Sequence, residues 1–174
     1  MTHRFQPYLE SELESAERPS KTRRKQDMDR HQQLGELLLG LSVSKWQNLP
    51  INDSLRAALQ EMARIKAREA QRRHRQYIGK LMRQQDLAEL LAALDTSVPR
   101  NGKHIPLDTL IHRLIHEGEK ALMDTVQRYP GCDRGYLREL IEHVEFAEDD
   151  ESQSLATEQL RLYMLETDIL GRKS

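Results

Sequence analysis

Apolar side chains recur along this chain at intervals of three and four residues, which is the spacing of one buried face on an α-helix. A first helix is predicted from Pro19-Ser20 to about Leu41, with Ser20 as its candidate N-cap. Its apolar positions are Met28, Leu34, Leu38 and Leu41.

The same periodicity continues through the rest of the chain. A second amphipathic stretch follows Pro50, with Asn52 or Asp53 able to cap it. Further helices are predicted after Asp86, after Pro106, after Gly118 and after Asp133, and a last one follows the acidic residues 145–151. No segment alternates with a period of two, so the sequence predicts an all-α protein. The apolar positions of the second stretch are Leu55, Ala58, Leu59, Met62 and Ile65, and those of the last helix are Leu155, Leu160 and Tyr163.

The longest predicted helix joins the stretch after Pro50 to a polar segment. If it is continuous from Asp53 to Arg83, it spans roughly 46 Å at 1.5 Å per residue. A compact domain of this size is only about 40 Å across, so an elongated molecule with an exposed helix centre is expected. Tyr77 and its apolar neighbours are expected to return the helix to the core. Gly79 admits close approach of another helix or of a sugar-phosphate backbone, and helix packing is the simpler expectation.

One segment interrupts the helical pattern most clearly. Residues 96–106 contain Pro99, Asn101-Gly102 and Pro106, all of which disfavour regular structure. We therefore predict an acidic N-terminal segment at 1–18, an N-terminal helical lobe with the long helix at 19–95, a linker at 96–106 and a smaller C-terminal helical lobe at 107–174.

Composition limits the core and the cellular setting. The chain is 37% hydrophobic but only 5% aromatic, which predicts a modest core of Leu, Ile and Ala. Trp46 is therefore expected to pack rather than to stack on a base. Cys132 is the only cysteine, which excludes an internal disulfide and suits a reducing cytoplasm. No long apolar run or secretion-type start is present, so no membrane association is expected.

Charge is distributed very unevenly along the chain. Residues 64–83 contain eight Lys and Arg residues against a single Glu, which gives this segment +7. Because the whole chain carries −1, the remainder sums to −8. The near-neutral total thus conceals a strongly basic element on an acidic body. The basic residues are Arg64, Lys66, Arg68, Arg72, Arg73, Arg75, Lys80 and Arg83.

On one continuous helix, Arg64, Arg68, Arg72 and Arg75 form a stripe roughly 80° wide, with Lys66 and Arg73 near the opposite side. A helix that is polar nearly all round either crosses open solvent or lies against a polyanion. Phosphates would relieve the mutual repulsion of these cations, which favours nucleic acid over a merely solvated face. A second candidate patch opens the first helix, where its cations oppose the helix dipole. It comprises Lys21, Arg23, Arg24 and Lys25.

Catalytic and metal-binding motifs are not evident. His112 and His116 have the spacing of two imidazole ligands, but no carboxylate or cysteine pattern accompanies them. The acidic run 145–151 lacks the alternating ligands and central Gly of a calcium loop, and it is expected to be a solvated linker. Phosphate-binding Gly-rich loops and nucleophile elbows are also missing. We therefore expect no catalytic residue, no metal, no cofactor and no small-molecule substrate.

Three motifs resemble the dual-action ribosomal maturation protein family (DarP, formerly YjgA). They are LP before the long helix, IK-x-x-EA-x-RR at Ile65 to Arg73, and Q-x-IGK-x-MR-x-x-D at Gln76 to Asp86. Flanking segments fit as well, so the resemblance covers about Pro19 to Glu166. It implies a cytoplasmic bacterial factor that associates with late precursors of the large ribosomal subunit and promotes maturation of the peptidyl-transferase region without chemistry of its own.

The resemblance agrees with the charge pattern and implies ribosomal RNA of a large-subunit precursor as the partner. The acidic lobe is expected either to limit indiscriminate RNA binding or to contact basic ribosomal proteins. The first alternative is a helical scaffold whose basic helix binds acidic proteins. The second is an RNA-processing enzyme, which would require a divalent-metal site.

Overall fold

The computed structural model describes residues 21–99 and 105–172 of the chain, and all regular structure within these ranges is helical. The all-α prediction is therefore confirmed. The predicted N-cap Ser20 and the acidic segment 1–18 lie outside the described residues. The described helices are α1 (Lys21–Leu39), α2 (Val43–Gln47), α3 (Asp53–Met62), α4 (Arg68–Met82), α5 (Leu87–Ser97), α6 (Leu107–His116), α7 (Glu119–Arg128), α8 (Arg134–Glu145) and α9 (Asp150–Gly171).

Short polar side chains begin several of these helices as the sequence predicted. Asn52, rather than Asp53, caps α3, because its Oδ1 accepts a hydrogen bond from the Leu55 amide at 2.9 Å. Asp133 caps α8 through the Tyr136 amide at 2.8 Å. Each cap satisfies an amide that the first helical turn would otherwise leave without a partner. Between α6 and α7, Gly118 adopts φ +61°, a conformation that side-chain-bearing residues rarely adopt.

The prediction of one continuous helix from Asp53 to Arg83 is wrong. The chain turns between Met62 and Arg68, with Ala67 in an extended conformation at ψ 127°. Helix α4 has 15 residues and is therefore about 22 Å long. No Pro or Gly causes the break, so the cause is tertiary. Folding α4 back on α3 places the apolar residues of both helices in one core, whereas a continuous helix would hold them far apart.

The first core cluster lies among α1 to α5. Trp46 is buried in it as predicted, and its indole Nε1 donates to the Leu38 carbonyl at 2.7 Å. Gly79 lies at the contact with α1, where a Cβ would make an ordinary contact of 3.4 Å with Cα of Gln32. The helix-packing expectation for Gly79 is thus confirmed. Fully buried members of this cluster are Leu34, Leu38, Leu55, Leu59, Ile78, Met82, Leu90, Leu91 and Leu94, together with Ile169 from α9.

The second core cluster lies among α6 to α9. Helix α9 belongs to both clusters, because Leu160 and Met164 are buried in the second and Ile169 is buried in the first. Helix α1 also spans them through polar contacts described below. The fully buried centre of the second cluster comprises Leu114, Leu137, Leu160 and Met164.

Three positions expected to be buried are exposed, and the third, Tyr77 of α4, is described with the basic surface below. Met28 is 50% exposed, and Leu155 is 62% exposed. The reason for Met28 is that the N-terminal half of α1 meets the C-terminal helices through polar side chains such as Arg30, rather than through an apolar stripe. Leu155 precedes the buried part of α9, which begins at Ala156. Among the described helices, none has the length and hydropathy that a bilayer-spanning segment requires.

Candidate nucleic-acid interface

Helices α3 and α4 form an antiparallel hairpin that presents the basic segment. At one end the Asn52 amide donates to Oε1 of Gln85 at 2.9 Å. Further along, Nε2 of His74 lies 2.7 Å from the Ala58 carbonyl oxygen. The connecting residues 63–67 therefore lie at the far end of this hairpin, away from the Asn52 contact.

The connecting turn is held by its own hydrogen bonds. The Arg64 amide donates to the Glu61 carbonyl at 2.9 Å, and the Gln71 side chain donates from Nε2 to the Ile65 carbonyl at 2.8 Å. No side chain caps the N-terminus of α4, where Ala67 stands at the N-cap position. The first amides of α4 therefore have no side-chain acceptor, and the cations Lys66 and Arg68 beside them are exposed, an arrangement that suits an anion.

All eight basic residues of segment 64–83 are exposed. They do not form the single stripe that a continuous helix predicted, because Arg64 and Lys66 belong to the turn rather than to α4. At about 100° per residue, Arg68, Arg72 and Arg75 project within roughly 40° of Gly79. Since α1 packs at Gly79, these three residues lie along the side of α4 that is turned toward α1.

Glu69 joins Arg72 of the predicted stripe to Arg73, which follows it in α4 and projects about 100° away around the helix. Its carboxylate accepts from Nη2 of Arg72 at 2.8 Å and from Nε of Arg73 at 3.2 Å. The hydrogen bond from Arg72 makes the largest contribution, and together with the one from Arg73 it holds the pKa of Glu69 below its ordinary value. The hydrogen bond to Glu69 also raises the pKa of Arg72. Both guanidinium groups stay accessible, with side chains 61% and 75% exposed.

The second predicted patch is only partly available. Lys21, Arg24 and Lys25 are exposed on α1. Arg23 instead bonds from Nη1 to Glu139 at 3.2 Å and lies over the Tyr136 ring, 3.0 Å from its centroid. Because α1 packs directly against α4, the two basic patches are carried by neighbouring helices.

Sequence reasoning missed one feature of this surface. Tyr77 was expected to pack in the core, but it is 47% exposed on α4. Its position four residues after Arg73 and three before Lys80 was the available signal, since such neighbours share a helix face.

The other candidate positions are not part of this surface. The rings of His112 and His116 lie 4.4 Å apart, and no group of three or more metal-ligating side chains gathers within the two described ranges. Cys132 is buried, and this burial raises the pKa of its thiol and disfavours the reactive thiolate.

Comparison with known proteins decides the family. Residues 17–164 match the family described as dual-action ribosomal maturation protein DarP. The chain belongs to this family. The matched region contains both basic patches and the complete α3–α4 hairpin, and membership supports a role in ribosome maturation.

Individual relatives agree with the family match. The chain is 41% identical to the dual-action ribosomal maturation protein of Vibrio vulnificus over 125 residues, covering 70% of this chain and 67% of the relative. It is 33% identical to the protein of the same name from Idiomarina loihiensis over 152 residues, covering 84% and 89%. The protein of that name from Vibrio parahaemolyticus is 41% identical over 128 residues, or 70% of this chain and 71% of the relative.

Proposed function

We propose that this protein is a non-catalytic assembly factor of the cytoplasm that binds ribosomal RNA in late precursors of the large (50S) ribosomal subunit. It promotes maturation of the peptidyl-transferase region. The observation that carries the proposal is the exposure of all eight cations in segment 64–83 on one hairpin of an otherwise acidic chain. Family membership points the proposal toward the ribosome.

Phosphate is the anion that fits this surface best. Arg72 and Arg73 present planar guanidinium groups that match two phosphate oxygens at once, while Lys80 provides a compact point charge. An RNA backbone offers closely spaced phosphates, so several such contacts form together and release counterions. Lys21, Arg24 and Lys25, which are exposed on the neighbouring α1, are further candidate phosphate contacts.

The mechanism we propose is binding that restrains RNA rather than reacting with it. The hairpin is anchored at both ends, through Asn52 with Gln85 and through Gln71 with Ile65. A rigid basic surface of this kind holds immature RNA helices near their final arrangement and lowers the barrier to correct docking. The acidic C-terminal helices disfavour indiscriminate RNA contact and suit basic ribosomal proteins.

The test is sedimentation of the tagged protein from a lysate at low and raised salt. Co-migration with large-subunit particles should disappear as salt rises, with a log–log slope of roughly −4 to −5 for six phosphate contacts. The double variant Arg72→Glu, Arg73→Glu should leave the particle fraction while its helical content stays unchanged. Retained co-migration would contradict the proposal.

The chain offers a matched control for this variant. Arg134 and Arg138 share the carboxylate of Glu119, at 2.6 and 2.8 Å, just as Arg72 and Arg73 share Glu69. Changing Arg134 and Arg138 to Glu reverses the same number of exposed charges on α8, and it should leave co-migration intact. Association that survives nuclease treatment would instead favour a protein scaffold that binds acidic partners.

A further inference from the structure

Tyr77 lies outside both core clusters. It is 47% exposed on α4, although its neighbours Ile78 and Leu81 are buried. Burying a tyrosine ring contributes substantially to a core, so a ring left half in water contributes less to folding than a buried one would. Its aromatic face is available to a ligand.

His74 supports the ring from the α3 side. The two ring centroids are 5.9 Å apart and inclined at 50°. The imidazole is itself fixed, since its Nε2 lies 2.7 Å from the Ala58 carbonyl oxygen. A braced ring loses less rotational freedom when a flat partner stacks on it.

Cations flank the ring along the helix axis. Arg73 precedes Tyr77 by four residues and Lys80 follows it by three, so both project within about 60° of it. Both side chains are exposed. An aromatic ring between two cations is the arrangement by which proteins hold a nucleotide, with the base on the ring and the flanking phosphates on the cations.

We propose that Tyr77 stacks on an unpaired base of the bound RNA, so that α4 selects strands with a bulged or looped nucleotide over uninterrupted duplex. This inference rests on the RNA-binding function proposed above. In an A-form duplex each base face is covered by its neighbours in the stack, and only an unpaired nucleotide can turn a face toward a protein ring. Arg73 and Lys80 bind the phosphates on either side of that nucleotide.

The experiment uses two RNA hairpins that are identical except for a single-nucleotide bulge in one stem. The full-length protein should bind the bulged hairpin about five- to a hundred-fold more tightly than the paired one. Tyr77→Ala and Tyr77→Leu should remove that preference, since both lack a ring, whereas Tyr77→Trp should keep it. The salt slope should not change, because tyrosine neutralises no phosphate.

Phe146 provides the matched control. It is 78% exposed, but it stands in the acidic segment after α8, so Phe146→Ala should leave the preference unaltered. Equal binding of the two hairpins by the unmodified protein, or a preference that survives Tyr77→Ala, would overturn the inference. The Arg72→Glu, Arg73→Glu variant separates the two proposals. If that variant binds both hairpins as tightly as the unmodified protein, the phosphate-binding function fails whatever the Tyr77 variants show.

Discussion

Gly35 of α1 faces Ile78 of α4 so closely that a Cβ at position 35 would lie 2.8 Å from Cγ2 of Ile78. Such a distance is shorter than real carbon contacts, and the Ile78 side chain is fully enclosed, so it cannot move aside freely. The contact between α1 and the basic helix therefore depends on the missing side chain. Gly79 makes the reciprocal approach, with a more ordinary 3.4 Å to Cα of Gln32.

The two glycines should respond oppositely to alanine. Gly35→Ala gains helix propensity but overpacks the core, for a net loss of about 1 kcal/mol in the free energy of unfolding. Gly79→Ala gains the same propensity without a severe contact, and it should stabilise the protein by about 0.5 kcal/mol. Urea unfolding of both variants measures the difference. A loss at Gly79 equal to that at Gly35 would show that both contacts are equally tight.

Arg30 and Glu166 connect α1 to α9 through a hydrogen-bonded ion pair, with Nε and Oε2 2.6 Å apart and side chains 16% and 9% exposed. Arg30 also donates from Nη2 to Oγ1 of Thr167 at 3.0 Å. Arg30→Met should cost about 3 kcal/mol of unfolding free energy, because it leaves the Glu166 carboxylate enclosed and unpaired.

Combining Glu166→Leu with Arg30→Met tests whether the unpaired Glu166 carboxylate causes this loss of stability. The double variant should be more stable than the sum of the two single losses predicts, by about 1 kcal/mol or more. Strict additivity in chemical unfolding would mean that the two side chains do not depend on each other.

Asp149 caps α9, and its Oδ1 accepts from the Ser152 amide at 2.7 Å. This backbone hydrogen bond lowers the pKa of Asp149 in the folded state. The contribution of the charged Asp149 cap to the free energy of unfolding is therefore complete above the ordinary carboxyl pKa. It is lost as the pH falls through the lower, folded-state pKa. Asp149→Asn keeps an accepting oxygen that does not titrate. The stability advantage of the unmodified protein over this variant should shrink as the solution is acidified. An advantage that is constant with pH would exclude the carboxylate charge as its source.

Glu69 competes with phosphate for Arg72 and Arg73, since it already accepts hydrogen bonds from both. Glu69→Gln raises the local charge by one, so RNA binding at low salt should tighten several-fold and depend more steeply on salt. Glu119→Gln, which relieves the equivalent pair Arg134 and Arg138, should change nothing. Weaker binding by Glu69→Gln would instead show that Glu69 positions the arginines for their ligand. Filter binding over a salt series distinguishes these outcomes.

Local chemistry made much of the fold predictable. Apolar spacing indicated the helices. Asn52 and Asp133 indicated two helix starts, because a capping side chain accepts a hydrogen bond from an amide only a few residues further along the chain. The charge of segment 64–83 likewise indicated an exposed surface, since so many cations cannot be desolvated together.

Other features depend on partners that are distant along the chain. Arg23 looked like its exposed neighbours Arg24 and Lys25, yet α8 supplies Glu139 to bind it. Tyr77 looked like a core residue beside Ile78, yet it is 47% exposed. Nothing near Arg23 in sequence distinguishes its outcome, and for Tyr77 the only nearby signal was the pair of cations at positions 73 and 80 on its helix face.

By itself, then, the sequence determined that this protein is helical, which faces carry its leucines and where its positive charge is concentrated. Only the tertiary structure decided that the basic helix ends and turns between Met62 and Arg68. Residues 63–67 are compatible with a helix, and the turn forms because Leu55 and Ile78 bury more surface together than a straight helix would allow. The surface that this turn buries depends on the whole core, so it cannot be predicted from the spacing of residues along one segment.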